Sequence, residues 1–503
     1  MTAPKVCLCL TGGTLNEDLA LVEKYRPCID MAELRADFLQ KDERLHIRRF
    51  PELAGIPCIL TIRRKIDGGK FLDGEANRSM LFARALAFAD PNPAKNFAFV
   101  DFEEDFFVPS LQDAALAFGT RIIRSRHSMT ENIPNIAEKI ETMRVTGYEI
   151  PKISCRANSL AEVTNMFREA KKLGDSEHIL CCMGPYGVPA RILAAFLNSY
   201  LTYSTPEENA GDMGELYHVD PRTLEETYRF RSIRGDTKIF GVTGFPLVNS
   251  LSPEIHNTGY KRHNMNAVYI PLRSDTIEEA LEFAEALNMS GLSVTVPHKE
   301  AVIGRLASQS QAVQKIQACN TLVRTPEGWH GRNTDAAGLE RALQEFVGAR
   351  TLSGVKVAII GAGGAAKAAA FAVKRLRGRA CVFNRTVIRA KKLAEMYGFK
   401  WAFLDIDSYR LLSKYSDLII QTTSKGMDST GQANHDNDPL YFYTFSGKEA
   451  LYDLIYTPLE TPLMARARAA GCRVEGGYSM LKYQAHQQFE YFTGEPYGPH
   501  ESK

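Results

Sequence analysis

The sequence predicts an α/β chain in two halves: an N-terminal (β/α)8 barrel, then a two-lobed unit whose second lobe is a Rossmann-type sheet. Three observations carry this. Short apolar runs recur at even spacing through the first 232 residues, with helix-like segments between them. The pattern turns polar across Phe230–Asp236 and restarts with Thr237–Thr243. A later apolar run, Val355–Gly361, leads into a glycine turn and an alanine-rich helix ending near Arg375. Strands alternating with helices pair in parallel, and eight such units close into a barrel of about this size. At 503 residues the chain is too long for a single core and is expected to form about three domains.

The strand-like runs of the first half are Lys5–Thr11, Cys28–Arg35, Pro57–Arg63, Phe97–Phe102, Arg121–Ser125, Tyr148–Ser154, His178–Met183 and a weaker Tyr200–Ser204. Between them, Asn77–Asp90, Pro134–Val145 and Ser159–Leu173 read as helices. Polar residues then gather at strand ends: Glu33 and Arg35 on the second, Arg63 on the third, His127 after the fifth and Lys152 on the sixth. Barrel enzymes build their active sites at those ends. Lys152 lies among Ile and Pro residues, so desolvation is expected to lower its pKa and make a neutral amine accessible. Such an amine attacks a ketone, the resulting imine acidifies the adjacent carbon, and His127 is placed to remove that proton and return it to a leaving hydroxyl. The arginines suit a substrate carboxylate.

In the second half, Gly361-Ala362-Gly363-Gly364-Ala365-Ala366 opens a helix directly after a strand. Its glycines admit a pyrophosphate to the backbone, and the helix N-terminus favours its charge. The next run, Ala380–Phe383, ends in Asn384-Arg385-Thr386, where an acidic residue would mark NAD. An arginine suits a 2′-phosphate, so NADP(H) is expected. Arg389 and Lys391 add positive charge there or form an exposed helix face. Upstream, Ser250 and Ser252 offer paired hydroxyls to a polyol or carboxylate, although Ser252-Pro253-Glu254 is also a helix cap. Lys299 and Asp335 suit an acid–base pair for carbonyl reduction, although Asp335 also suits a cap for a helix beginning at Ala336. His298 is read as orienting, beside Pro297.

The remaining composition narrows the class. Lys+Arg number 61 against Asp+Glu 59, so no nucleic-acid partner is expected. The ten cysteines include no CxxC pair and no zinc spacing, so no metal is expected. No signal peptide opens the sequence and no apolar run is long enough to span a membrane, which points to a reducing, cytoplasmic setting. Oligomeric state is not legible.

These motifs carry a resemblance to two families. The first half resembles type I 3-dehydroquinate dehydratases: Glu149-Ile-Pro-Lys152-Ile matches the lysine segment, Ala32-Glu33-Leu-Arg35-Ala-Asp37 the acidic–arginine strand, Thr61-Ile-Arg63 with Gly68-Gly69 the arginine strand, and Met183-Gly184 with Arg191 the methionine–glycine strand. The resemblance implies that Lys152 forms the Schiff base and His127 is the general acid–base. It also implies that Glu33, Arg35, Arg63, Met183 and Arg191 hold the substrate. Asp67 takes the place of a Glu expected to orient His127. The closing loop, usually Ala-Pro-Gly-Gln, is best matched by Asn209-Ala-Gly-Asp212, without the Pro and the Gln.

The second half, over nearly all of Lys238–Gly494, resembles shikimate dehydrogenases. That implies catalysis by Lys299 and Asp335 and substrate binding by Ser250, Ser252, Thr295, Asn320, Tyr456 and Gln484. Ser293 stands where many bacterial members have Asn. The reading is a fused enzyme that dehydrates 3-dehydroquinate and then reduces 3-dehydroshikimate with NADPH, on small-molecule substrates. Its domains are expected at 1–232, 237–345 (completed by 472–503) and 346–471. The alternatives are a quinate/shikimate dehydrogenase with an impaired barrel and a non-catalytic metabolite sensor. A sensor would be expected to have lost the two lysines, and this chain keeps both.

Overall fold

The computed structural model describes residues 3–87, 90–209, 214–247, 250–427, 429 and 431–498. Two compact units emerge: residues 1–241 with 260–289, and 242–259 with 290–503.

In the first unit all eight expected strands form: β1 (Lys5–Leu10), β2 (Met31–Arg35), β3 (Cys58–Thr61), β4 (Phe99–Glu103), β5 (Arg121–Ser128), β6 (Glu149–Arg156), β7 (Ile179–Met183) and β8 (Leu201–Ser204). They make one parallel sheet in the order β7-β6-β5-β4-β3-β2-β1-β8, and an isolated bridge between His178 and Ser199 links its two edges. Side chains alternate across a strand, so every second residue faces the barrel interior. Cys7, Met31, Ile59, Phe99, Ile123, Ile150, Ile179 and Leu201 form a buried apolar floor. Two residues further along each strand, the same faces carry Cys9, Glu33, Thr61, Asp101, Ser125, Lys152, Cys181 and Tyr203. The register sets Cys9 beside Glu33, Thr61 beside Asp101 and Ser125 beside Lys152, while the stagger of the strands sets Glu33, Asp101 and Lys152 beside Ile59, Ile123 and Ile179 on their other side. The change from apolar to charged within one pleat marks where the floor stops and chemistry begins.

The first unit also holds β10 (Ala267–Arg273), which lies beside the start of β9 (Lys238–Gly244), and the helix Ile277–Ala286. The barrel helix Leu160–Ala170 is capped by Ser159, which accepts from Glu162 N. Thr276 caps Ile277–Ala286 in the same way, accepting from Glu279 N. Their apolar faces meet through Phe167 and Phe283, an edge-to-face pair with centroids 5.6 Å apart. This contact explains why 260–289 groups with the barrel.

In the second unit, the end of β9 leads to β11 (Gly291–Val294), then β13 (Thr321–Thr325), β14 (Gly328–Arg332) and β12 (Ser308–Gln309). Helices Asp335–Val347 and Tyr478–Thr493 pack against each other. A side chain at Gly338 would bring its Cβ to 2.9 Å from Gln484 Cβ, so glycine is needed for this close approach. The last sheet is all parallel, with β15 (Lys356–Ile360), β16 (Arg379–Asn384), β17 (Lys400–Phe403), β18 (Leu418–Gln421), β19 (Ala450–Asp453) and β20 (Arg473–Glu475) in the order β17-β16-β15-β18-β19-β20. This is the doubly wound order, which reverses beside β15 and leaves a crevice at that strand's C-terminal end. β20 carries the sheet past residue 471, where the sequence reading ends the lobe.

Magnitudes separate the forces that hold Ile277–Ala286 on the barrel. Phe283 is fully buried, whereas the nearby Arg168–Glu282 ion pair is about half exposed on both sides. Phe283→Ala is therefore expected to cost about 3–5 kcal/mol, and Arg168→Ala under about 1 kcal/mol. Urea denaturation followed by circular dichroism checks this, and equal losses would refute the apolar account.

Candidate active sites

All eight barrel residues named from the sequence line one cavity: Glu33, Arg35, Arg63, Asp67, His127, Lys152, Met183 and Arg191. At its centre Lys152 Nζ lies 3.0 Å from Asp101 Oδ2, 2.9 Å from the Tyr203 hydroxyl and 3.8 Å from Glu33 Oε1. Each carboxylate is itself held. Arg63 reaches Asp101 at 2.9 Å and Glu103 at 2.7 Å, and Ser125 Oγ donates to Asp101 Oδ1 at 2.5 Å. Thr61 Oγ1 donates to Glu33 Oε1 at 2.8 Å, and the Cys9 thiol points at Glu33 Oε2 from 3.3 Å.

The electrostatics correct one expectation. Burial does work against the Lys152 ammonium, but Asp101 and Glu33 outweigh it, and the pKa lies above the ordinary lysine value. The local Ile–Pro setting shows only the desolvation, because the opposing carboxylates come from strands distant in sequence. Burial works equally against the Asp101 charge, yet Arg63 and Lys152 hold its carboxyl well below the usual range. His127 goes the other way: burial, then Arg63 and Lys152, push it well below the ordinary histidine value, so its ring is neutral.

A second correction concerns Asp67. Its Oδ2 accepts from Arg64 Nε at 2.7 Å, and no hydrogen bond joins it to His127. His127 Nδ1 is buried without a hydrogen-bond partner among the described residues. The adjacent arginine captures the short carboxylate first. Two of the three substrate arginines are likewise committed within the protein: Arg35 forks onto Asp37 at 3.0 and 2.9 Å, and Arg63 spans Asp101 and Glu103. Arg191, on the helix Val188–Ile192, has no carboxylate partner among the described residues. Its Nη2 donates to the Leu216 carbonyl at 2.9 Å, and its buried Nε is unpaired. The loop match at 210–212 lies outside the described residues.

In the second unit, Lys299 Nζ contacts Asp335 Oδ2 at 2.6 Å, and Asn320 Nδ2 donates to Asp335 Oδ1 at 2.9 Å. Thr334 Oγ1 lies 3.3 Å from Gln484 Oε1, which draws the last long helix into the cluster. The Asp335 carboxylate is thus free of capping work, since Asn333 Oδ1 accepts from Ala336 N at 3.2 Å. Ser250 Oγ accepts from Ser252 N at 3.4 Å and hydrogen-bonds Tyr456. Thr295 N donates to the Thr243 carbonyl at 2.9 Å, and the buried His298 donates its backbone N–H to the Thr295 carbonyl. Ser293 Oγ donates to Gln488 Oε1 at 3.0 Å, while Gln488 Nε2 reaches Thr321 Oγ1 at 3.0 Å.

Beside this cluster stands the glycine turn. Gly361 has φ +115°, and a Cβ there would strike Thr422 Oγ1 at 2.5 Å. A Cβ on Gly363 would meet no atom within 4 Å, so this side of the turn is open. A Cβ on Gly364 would lie 3.4 Å from the Lys299 stem, which brings the turn against the lysine of the Lys299–Asp335 pair. Ala362 and Ala365 complete the turn and the first residues of the helix Gly364–Arg375. Gly361 N donates to the Phe383 carbonyl, so Asn384, Arg385 and Thr386 follow beside it. The open Gly363 and the helix start fit a dinucleotide's phosphates.

Sequence reasoning missed Asp101, Ser125, Tyr203, His218, Thr334 and Gln488. Asp101 and Glu103 had a signal, since charges interrupt the inward face of an apolar strand. His218 follows the last strand, outside any periodic pattern.

Fold and sites define an enzyme with two active centres on one chain: a barrel with a buried lysine in a charged cavity, and a two-lobed oxidoreductase. Comparison with known proteins agrees. Residues 6–234 match the sequence model of type I 3-dehydroquinase, 242–322 the shikimate dehydrogenase substrate binding domain, and 341–431 shikimate / quinate 5-dehydrogenase. A chloroplastic bifunctional 3-dehydroquinate dehydratase/shikimate dehydrogenase of Arabidopsis thaliana is 29% identical over 492 residues, covering 93% of this chain and 78% of that protein. A shikimate dehydrogenase (NADP(+)) of Thermococcus kodakarensis is 36% identical, covering 52% of this chain and 92% of its own length. A crystal structure of a shikimate dehydrogenase in complex with NADP+ is 31% identical, with a TM-score of 0.46, over 52% of this chain and 92% of that one. The chain belongs to the shikimate dehydrogenase family, in the bifunctional form that carries a type I 3-dehydroquinate dehydratase on the same polypeptide. No helix among the described residues is long and apolar enough to cross a membrane.

His127 gives a pH prediction with a definite sign. Its unfolded form takes a proton near the ordinary value of about 6.5, while the folded form resists it. The unfolded state therefore binds more protons, and stability falls as pH drops below that value. His178, His218 and His256 are also depressed and are common to both proteins compared. Between pH 7 and 5.5 the wild type is expected to lose about 1 kcal/mol more than His127→Asn. Parallel pH slopes in urea denaturation would show that His127 is not buried neutral.

Proposed function

We propose that Lys152 and His127 carry the dehydration, with Arg191 gripping the substrate carboxylate. The supporting observation is the Lys152 amine, buried in a cavity lined by the other named residues and ringed by oriented carboxylates. Its ammonium must lose a proton before nitrogen attacks the ketone, and His127 is the neutral base in the same cavity. Attack gives a carbinolamine, and His127 returns the ammonium proton to its hydroxyl, which leaves as water to give a cationic imine and a neutral His127. His127 then takes the proton from the carbon next to the imine carbon and returns it to the hydroxyl that leaves. Glu33 and Met183 line the space the ring would fill. Arg35 and Arg63, already paired, contribute by holding Asp37, Asp101 and Glu103 in place. Asp67 fixes Arg64 at the cavity rim.

In the second site Lys299 and Asp335 manage the proton at the carbonyl oxygen, with Asn320 fixing the carboxylate. Ser250, Ser252, Thr295, Tyr456 and Gln484 bind the polyol. NADPH, when bound, supplies the hydride. Gly361, Ala362, Gly363, Gly364 and Ala365 would hold its pyrophosphate, and Asn384, Arg385 and Thr386 its ribose and 2′-phosphate. The functional segments we assign are 1–232, 237–345 completed by 472–503, and 346–471.

Borohydride with 3-dehydroquinate should leave one reduced adduct, mapped by peptide mass spectrometry to Lys152. An adduct elsewhere, or none, would remove the imine. Separately, Lys299→Ala should lower shikimate turnover by about 10²-fold or more with shikimate affinity little changed. Near-normal turnover would take Lys299 out of the mechanism.

A further inference from the structure

The barrel cavity holds a second histidine with no role in the steps above. His218 follows the short turn Gly214–Leu216 and lines the cavity with Arg191, Tyr203 and Leu216. Its ring lies nearly parallel to the Tyr203 ring, 16° between planes and 6.3 Å between centroids. The hydroxyl of that tyrosine sits 2.9 Å from Lys152 Nζ. His218 Nδ1 lies 2.6 Å from Thr205 Oγ1, and Thr205 is buried with no other side-chain hydrogen bond among the described residues. His218 Nε2 has no protein partner among them either. The carbonyl of Leu216, two residues earlier, takes the hydrogen bond from Arg191. Guanidinium and imidazole therefore reach the cavity from linked positions.

Burial, reinforced by Arg191, Arg35 and Lys152, keeps this imidazole well below its ordinary pKa, so it carries one proton. The Thr205 hydroxyl has no other acceptor among the described residues, so it donates to Nδ1 and leaves the proton on Nε2. We propose that His218 is a substrate-contacting residue of the dehydratase, its Nε2–H donating to the substrate carboxylate that Arg191 grips. The proposal rests on the reading of Arg191 given above. A neutral donor beside the guanidinium adds a hydrogen bond to the anion without a second buried charge. Thr205 acts through His218 and is a positioning residue.

The test uses the full-length enzyme. His218→Phe keeps a ring against Tyr203 and removes the donor. The dehydratase KM for 3-dehydroquinate should rise about tenfold to a hundredfold, the size of one charge-assisted hydrogen bond. Turnover at saturating substrate and borohydride trapping on Lys152 should stay within about threefold of wild type, and His218→Gln should recover most of the KM. Thr205→Val, which lets the proton move to Nδ1, should also raise KM. A wild-type KM in His218→Phe overturns the proposal. Should that variant not fold, as judged by circular dichroism, Thr205→Val decides: a raised KM supports the proposal and an unchanged one overturns it. Arg191→Ala separates the two readings. If it leaves KM unchanged while His218→Phe raises it, the Arg191 grip fails and the His218 contact stands.

Discussion

A positive charge buried inside a barrel must be balanced, and the first unit is arranged around that requirement. An isolated ammonium in an apolar interior costs far more than folding can supply, so it is either neutralised or paired. Lys152 is paired. Asp101 and Glu33 flank it, Arg63 and Ser125 hold Asp101, and Thr61 holds Glu33. Removing one partner from such a group leaves an uncompensated buried charge, typically about 3–5 kcal/mol. These residues come from β2 to β6, so the charge network and the strand register specify each other. A one-residue slip of any strand would turn its charged group out of the barrel.

The same network sets the chemistry. It favours a protonated Lys152 in the free enzyme and a neutral His127, whereas desolvation alone would push both groups toward their neutral forms. An ammonium paired in this way is held in position, and an imidazole that starts neutral can take a proton, which suits the roles proposed for Lys152 and His127. Arg63 contributes to both, since its charge depresses His127 while it anchors the carboxylate that stabilises Lys152. With Arg35 and Arg63 committed to carboxylates, Arg191 is the cavity guanidinium without a carboxylate partner among the described residues, which supports its proposed role toward a substrate carboxylate.

Much of this was legible in the sequence because it depends on short-range patterning. The eight apolar runs, the charged strand ends and the glycine turn after a strand all report local periodicity, and each lands where the pattern places it. What was hidden depends on pairing across the fold. Asp101 and Lys152 are 51 residues apart in sequence, and only the register of β4, β5 and β6 brings them to 3.0 Å. The direction of the Lys152 shift was misread for that reason. The resemblance links Asp67 to His127 because it stands where the family has a Glu, but Arg64, three residues earlier, competes for it at 2.7 Å. His218 belongs to an irregular segment, where neither alternation nor helical spacing gives a signal. The contrast is physical: burial can be read along a strand, but counter-charge cannot.

The two lysines proposed to act on a carbonyl are held by different means. Lys152 projects from the middle of a strand, and its neighbours on adjacent strands limit where its amine can go. Lys299 follows a strand end, keeps a side chain 14% exposed, and is fixed by one strong partner, Asp335 at 2.6 Å. Its aliphatic stem is confined instead by the glycine turn, where a Cβ on Gly364 would reach it at 3.4 Å. A Cβ at 364 would stand in ordinary van der Waals contact with that stem, so the Lys299–Asp335 pair and the glycine turn are immediate neighbours. Lys152 is held by a ring of carboxylates on neighbouring strands, and Lys299 by one carboxylate beside a glycine turn.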